Sequence, residues 1–344
     1  MTFGGTVAEV ILHCQTVLMA QSDEIKWHLD GIEMAGTVTY PEGDGIFPAI
    51  IFVAGSGPTD RDWCSPLLPG SNGSARLLAE AFAEAGIASL RYDKRVSGPN
   101  GMANAQKLFG KLSMQSHLDE LVAAIRALSV LEFVDPTRIV GFGNSEGTLH
   151  LLHYANSGQA PALLGLVLAA PPGRPIETVL LSQLQFQLAS LPGGNDMMRH
   201  IRKATQRFST GQAMEPEVTL PDGVRAVLAS FEAPANLPLA RELWQESATG
   251  SLATVNIPTL VLIGGKDIQI DARADGEPLQ QSAAGKSNIS FAFPEKANHV
   301  FKEEDRSLEE LSAAPGTGYS EADTRLDQES LAIILEWLHR HFGR

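Results

Sequence analysis

The segment "GFGNSEGTLH" (141–150) sets one serine between two glycines, Gly143-Asn144-Ser145-Glu146-Gly147, after a β-branched run and before an apolar stretch. A serine hydroxyl becomes a useful nucleophile only when a base takes its proton and a third group holds that base. Gly-x-Ser-x-Gly suits a sharp turn between strand and helix, where nearby backbone leaves little room for side chains. A helix starting behind Ser145 also aims its positive end at a developing oxyanion. The competing reading is an ordinary turn serine, so the remaining groups must come from elsewhere in the chain.

With the order nucleophile, acid, histidine, the base comes late. His299, in "EKANHVF", follows the last predicted strand. Asp267 ends "VLIGGKD", and a carboxylate there can accept the Nδ1 proton of His299 and stabilise the imidazolium. Its plainer alternative is a turn cap. Asp271 is the fallback acid and reads more as the cap of the following helix. An oxyanion hole needs two backbone N–H groups. Glu146 supplies one, and Ser56, in the small-residue loop "AGSGPTDRDW" after "AIIFV", the other, with Gly55 allowing close approach.

His150 and His153, three apart on a helix, have the spacing of a shared metal-binding face. Without a Glu-x-x-His frame or a nearby third ligand they read as helix packing, and no metal is expected. His339 and His341 flank Arg340 and read as surface residues. Asp60-Arg61-Asp62 and Arg91, Asp93, Arg95 alternate in charge at strand mouths. Loop-tying ion pairs are favoured there over recognition of a charged substrate.

These groups require a particular scaffold. "EIKWHLDG" and "IEMAGTVTYPEG" read as strands turning near Asp30-Gly31. "AIIFVAGSG", "IASLRYD", "RIVGFGNS", "LLGLVLAAPPG", "PTLVLIGGKD" and "NISFAFPEKANHV" read as buried strands. Helices are expected over "SARLLAEAFAEAG", stopping at Gly86, and "SHLDELVAAIRALSVLE", capped by Ser116 with Asp119 in its first turn. Others follow over "EGTLHLLHYANSG", about 271–284, and "RLDQESLAIILEWLHRHF". The acidic stretch from Lys302 to Asp323 reads as an exposed loop with at most one short helix. Such alternation predicts an α/β, doubly wound, mostly parallel sheet with its strand C-termini along one edge.

From Arg174 to about Asn256 the strand runs stop and apolar residues recur at helical spacing, broken by prolines. The expected domains are a core over 1–173, a helical cap over 174–256 and the rest of the core over 257–344. Leu180, Leu184, Phe186, Leu188, Met197, Met198, Phe208 and Leu243 are expected partly to pack together and partly to roof the pocket.

On "GSGPTDRD" (Gly55–Asp62), "RYDKR" (Arg91–Arg95) and the serine motif, the chain resembles an α/β-hydrolase, specifically a capped serine esterase, from about Ile25 to the C-terminus. Ala54 stands where many relatives have His, and Val96-Ser97 precede Gly98 where "RYDKRGxG" is usual. The resemblance implies acyl transfer to water on a small-molecule ester through Ser145, His299 and Asp267, without metal or organic cofactor. Thioesterase, amidase, peptidase or acyltransferase chemistry on this fold is the alternative, and a non-catalytic binding protein stands further off. Missing Gly-x-Gly-x-x-Gly spacing argues against hydride chemistry.

The 344 residues carry a net charge of −14, with 44% hydrophobic and 19% charged residues. That acidity argues against nucleic acid or anionic lipid as partner and leaves homo-oligomerisation open. Two cysteines, Cys14 and Cys64, cannot build a disulfide framework or a Cys-rich zinc site. "VAEVILHCQTVLMA" has no preceding Lys or Arg and is interrupted by Glu9 and His13. It therefore reads as a strand or docking segment rather than a secretion signal or membrane span, and a cytoplasmic location is expected.

Overall fold

An antiparallel hairpin of β1 (Ala20–Leu29) and β2 (Ile32–Pro41) turns at Asp30 and Gly31, whose φ values are 51° and 76°. Two left-handed centres make this tight turn, a conformation aspartate tolerates and glycine adopts freely. The computed structural model describes residues 19–189 and 191–343, apart from the Ser312 side chain. Cys14 and nearly all of the N-terminal apolar stretch lie outside the described residues.

Alternation then sets in with β3 (Phe47–Val53), α1 (Ser74–Glu84), β4 (Ala88–Tyr92), α2 (Gly101–Lys107) and α3 (Met114–Ser129). It continues through β5 (Val134–Asn144), α4 (Glu146–Ser157) and β6 (Gly165–Ala169). Between β6 and the next strand come α5 (Ile176–Leu188), α6 (Gly194–Ser209), α7 (Asp222–Glu232), α8 (Leu237–Leu243) and α9 (Ala248–Thr254). The chain then runs through β7 (Thr259–Leu262), α10 (Gly276–Ser282), β8 (Ile289–Ala292), α11 (Leu308–Ala313) and α12 (Gln328–Phe342).

The strands form one eight-stranded sheet in the order β1-β2-β4-β3-β5-β6-β7-β8. The β1–β2 and β2–β4 pairs are antiparallel and the others parallel. The α/β, mostly parallel sheet expected from the sequence is therefore present. Parallel strands covered on both faces bury continuous apolar runs, as Ile50, Ile51, Phe52 and Val53 do. Under the loops after β3 and β5, Phe52 packs on Phe142 and Trp63 with ring centroids 5.2 and 5.7 Å apart. This aromatic cluster gives those loops a rigid floor.

Four of the helices between β6 and β7, α5 to α8, contribute to a separate apolar cluster that includes Leu184, Met198, Phe208 and Trp244. Arg174 ties their start to the main body. Its backbone N–H, Nε and Nη2 all donate to the fully buried Asp275 carboxylate, at 3.0, 3.0 and 2.7 Å.

Several sequence expectations need correction. The cap of α3 is Ser113, three residues before Ser116. Its Oγ accepts from the Ser116 amide at 3.0 Å while Ser116 Oγ accepts from the Ser113 amide at 2.9 Å. β8 ends at Ala292 rather than running to Val300, because Pro294 cannot continue the ladder. The helix expected over about 271–284 is confined to Gly276–Ser282, and α2 was not anticipated. The Lys302–Asp323 stretch is not simply exposed: Lys302, Leu311, Tyr319 and Ser320 are buried. Its charge is offset by Glu303–Arg325, Glu304–Arg306 and Asp305–Lys296 pairs. Among the described residues no helix is long and apolar enough to cross a membrane.

Candidate active site

Ser145 stands between the last residue of β5 and the first of α4, with φ 53° and ψ −122°. A non-glycine residue there is strained and persists because its surroundings hold it. The Ser145 amide donates to the Ala169 carbonyl at 2.8 Å, and Thr148 Oγ1 donates to the Ser145 carbonyl at 2.6 Å. The flanking glycines answer to crowding. A Cβ on Gly147 would lie 2.4 Å from the Val53 carbonyl oxygen, and one on Gly143 would lie 2.6 Å from that of Gly147.

His299 sits on the tight loop beyond β8. Asn298 Oδ1 accepts the Val300 and Lys302 amides at 3.1 and 3.0 Å, and Asn144 Nδ2 donates to the His299 carbonyl at 3.0 Å. The serine turn and the histidine loop are thus bonded directly. His299 Nδ1 and Asp267 Oδ2 are 2.8 Å apart, both residues buried. A carboxylate only accepts, so Nδ1 carries the proton and Nε2 is left free to take one. Asp267 Oδ1 also accepts the Gln269 and Ile270 amides at 2.7 and 2.9 Å, so the acid and turn-cap readings hold for different oxygens of one group. Asp271 points elsewhere and accepts from the Arg273 and Ala274 amides.

A cavity of about 170 Å³ brings these groups together, with Gly55, Ser56, Asn144, Ser145 and His299 in its wall. Gly55 lies against the elbow, where a Cβ would be 3.3 Å from that of Ser145. Thr59 Oγ1 donates to the Ser56 carbonyl at 2.8 Å, fixing the turn that follows. Glu146 opens α4, so its amide is among those that a helix start leaves without an intrahelical partner. The arrangement can transfer a proton from Ser145 through His299 and receive negative charge between two loops.

The Glu146 side chain belongs to a buried cluster below. Burial alone would raise its pKa. The His150 hydrogen bond at 3.2 Å and the Lys94 ammonium outweigh burial and hold it at about 2. Burial, with His117 adding to it, lowers the His150 pKa to about 4. His117 and His150 stack with centroids 4.5 Å apart, and ligand-type atoms of His117, Glu146 and His150 lie within 4.8 Å of one another. The partners of His150 are therefore His117 and Glu146 rather than His153. The carboxylates of Glu146 and Glu120 favour the charged form of Lys94, and Arg95 Nε donates to Glu120 at 2.8 Å. A divalent ion would add charge where the anions are already compensated, so the cluster reads as a charge network.

The charged strand mouths make ion pairs, as expected. Arg61 grips Asp93 through its backbone N–H, Nε and Nη2 at 2.9, 2.9 and 2.7 Å, and Arg91 pairs with Asp62. His339 is exposed, and His341 is half-buried against Trp337.

The sequence reading missed Tyr319. It lines the cavity and stacks on His299, and its hydroxyl accepts from Gln269 Nε2 at 3.1 Å. Burial and the Asp267 charge push its phenol pKa upward. The roofing expectation also changes. Leu180, Leu184, Leu188, Met198 and Phe208 belong to the insertion's own core, with Met197 packed on it, and Leu243 belongs to the main core. Among the described residues the cavity wall draws on Trp63, Leu68, Val300 and Tyr319 for apolar surface, and none of it comes from 174–256. The insertion reaches the rim through Gln183, which donates to the Gln269 carbonyl at 3.1 Å.

No family model matches the sequence. Among curated proteins the chain is similar to esterase EstD of Thermotoga maritima, at 26% identity over 269 residues. The match covers 78% of this chain and 58% of that protein, so the chain spans less than two thirds of the relative's length. Among solved structures it is similar to the α/β-hydrolase GrgF of a Penicillium species, with TM-score 0.55 and 14% identity, covering 94% of this chain and 99% of that one. It is also similar to a proline iminopeptidase of Mycobacterium smegmatis, with TM-score 0.54 and 17% identity, covering 93% and 99%.

Proposed function

We propose that this chain is an α/β-hydrolase, a serine hydrolase that cleaves carboxylic esters of small molecules. The observation that carries the reading is the convergence of a strained Ser145 and the Asp267-backed His299 on one cavity. A relative named as an esterase favours esters over other acyl compounds.

Ser145 Oγ attacks the ester carbonyl while His299 Nε2 takes its proton. Asp267 holds the tautomer and stabilises the imidazolium. The Ser56 and Glu146 amides receive the oxyanion, and the α4 N-terminus adds its positive end. The alcohol leaves with the proton from His299, and water then hydrolyses the acyl-enzyme by the same route. The helical segment 174–256 serves as a cap between core parts 1–173 and 257–344. The site requires no cofactor for this chemistry, and a cytoplasmic location fits the cysteine-poor, acidic sequence.

The test is fluorophosphonate labelling followed by peptide mass spectrometry, alongside turnover of p-nitrophenyl acetate. One adduct on the Ser145 peptide is expected, and Ser145→Ala should lose both adduct and turnover. Labelling elsewhere, or an active alanine variant, overturns the assignment.

A further inference from the structure

Lys94 is a lysine with only 4% of its surface exposed, on the loop after β4. Its ammonium donates to the Gly57 carbonyl at 2.8 Å and to that of Gly55, the two residues flanking Ser56. The Gly55 carbonyl and the Ser56 N–H belong to one planar trans peptide, so they point in opposite directions. Fixing the oxygen on Lys94 therefore fixes where the Ser56 N–H points. A cation on the oxygen also polarises that peptide and makes its N–H a stronger donor. The carboxylates of Glu146 and Glu120 also favour the charged form of Lys94 against its burial. Glu146 is the residue whose amide is the second oxyanion donor.

Resting on the esterase reading above, we infer that Lys94 is the positioning residue of the oxyanion hole, bracing the Ser56 peptide from behind. This gives Ala54 a physical setting. No side chain at that position reaches over to hold the loop, and a buried ammonium from the neighbouring strand end holds it instead. Lys94 touches no reacting atom. It acts through the geometry of the loop and the field at the α4 N-terminus. A carboxylate next to an oxyanion hole opposes the charge that develops there, and Lys94 offsets that opposition.

The experiment compares wild type with Lys94→Met and Lys94→Arg, each normalised to fluorophosphonate-titrated sites. It measures kcat and KM on p-nitrophenyl acetate, Ki for a trifluoromethyl ketone, and Tm. Lys94→Met should lower kcat by about a hundredfold, the scale of losing one oxyanion donor. KM should stay within about threefold, as expected for an interaction made chiefly in the transition state. Ki should rise in parallel with the fall in kcat. Lys94→Arg, which keeps the charge and donors, should recover part of kcat and Ki together. Unchanged kcat in Lys94→Met, a loss confined to KM, or a fall in Tm with Ki unmoved would overturn the inference. If Lys94→Met does not fold, Lys94→Gln, which is uncharged and one bond shorter, decides on the same readouts, and wild-type kcat and Ki in that variant would overturn the inference. Absence of labelling in the wild type would instead sink the esterase reading itself.

Discussion

Tyr319 stacks on His299 with ring centroids 6.2 Å apart and planes inclined by 29°. The histidine lies on the loop after the last strand and the tyrosine after α11, in the acidic stretch from Lys302 to Asp323. That stretch is pinned over the cavity by Gln269, by Ser320 bridging to Gly70, and by Lys266, whose ammonium donates to the Arg306 carbonyl at 2.8 Å. It forms one wall of the site rather than a solvent loop.

A first prediction follows for that wall. Tyr319→Ala removes the surface that limits imidazole motion and should lower kcat by between about tenfold and a hundredfold, the range expected when a reacting group is misplaced. Tyr319→Phe keeps the ring and loses only the Gln269 hydrogen bond, so its loss should be much smaller. Steady-state kinetics with titrated active sites separates the two. Equal losses would show that the hydroxyl, not the ring, is what matters.

A second prediction concerns the acid. Asp267→Asn should reduce kcat by several orders of magnitude, because an amide no longer holds His299 in the productive tautomer. Asp271→Asn should cost far less, since that carboxylate only caps the Arg273 and Ala274 amides. Both bonds end on Oδ1, which the amide keeps as an acceptor. Thermal melts of both variants separate the catalytic loss from any loss of fold. The reverse ranking in kcat would move the acid to Asp271.

Legibility in the sequence divides along physical lines. The placement of Ser145 and Asp267 was readable because each follows a β-branched run, and that of His299 because it follows the last strand and chain order restricts the choice. Gly143 and Gly147 were readable because crowding at a turn excludes side chains. Tyr319 was not, since its role depends on a loop returning over the sheet, which no periodicity records. His117 was likewise hidden: it joins His150 from another helix, and only packing of α3 on α4 brings the rings together. The apolar spacing in α5 and α6 was seen correctly, but spacing cannot say whether a helix face meets its neighbours or a pocket. β8 was overextended because Phe291 and Phe293 continue the alternation up to Pro294.

A third prediction uses the cavity. At about 170 Å³, with Ser65, Gln269 and Ser320 among its polar lining, it suits a short acyl group better than a long chain. Each added buried CH₂ contributes up to about 0.8 kcal/mol while room remains. Across p-nitrophenyl esters, kcat/KM should therefore peak at acetate to butyrate and fall by octanoate. Because Met198 is buried in the insertion's own core, Met198→Ala should change stability more than chain-length preference. A profile still rising at decanoate would require a cavity the insertion opens to ligand.

The last prediction is a pH dependence of stability, and its sign follows from the buried network. Burial and His117 lower the His150 pKa from its ordinary 6.5 to about 4. As pH falls through 6.5 the unfolded chain takes up a proton at this residue, while the folded protein resists until about 4. Stability is thus lost progressively across that window, because the unfolded state binds more protons. Glu146 acts in the same direction further down. Burial would raise its pKa, but His150 and Lys94 hold it at about 2 against an ordinary 4.5, so its contribution is present above 4.5 and lost on the way to 2. Urea midpoints measured at intervals below neutral pH should therefore decline in two overlapping stages. His150→Asn has no imidazole to protonate, so it should flatten the upper stage. Its starting stability should be lower, because the ring stacked on His117 is gone. A wild type equally stable on both sides of the upper window, or a His150→Asn variant with an unchanged slope, would remove His150 as the group responsible.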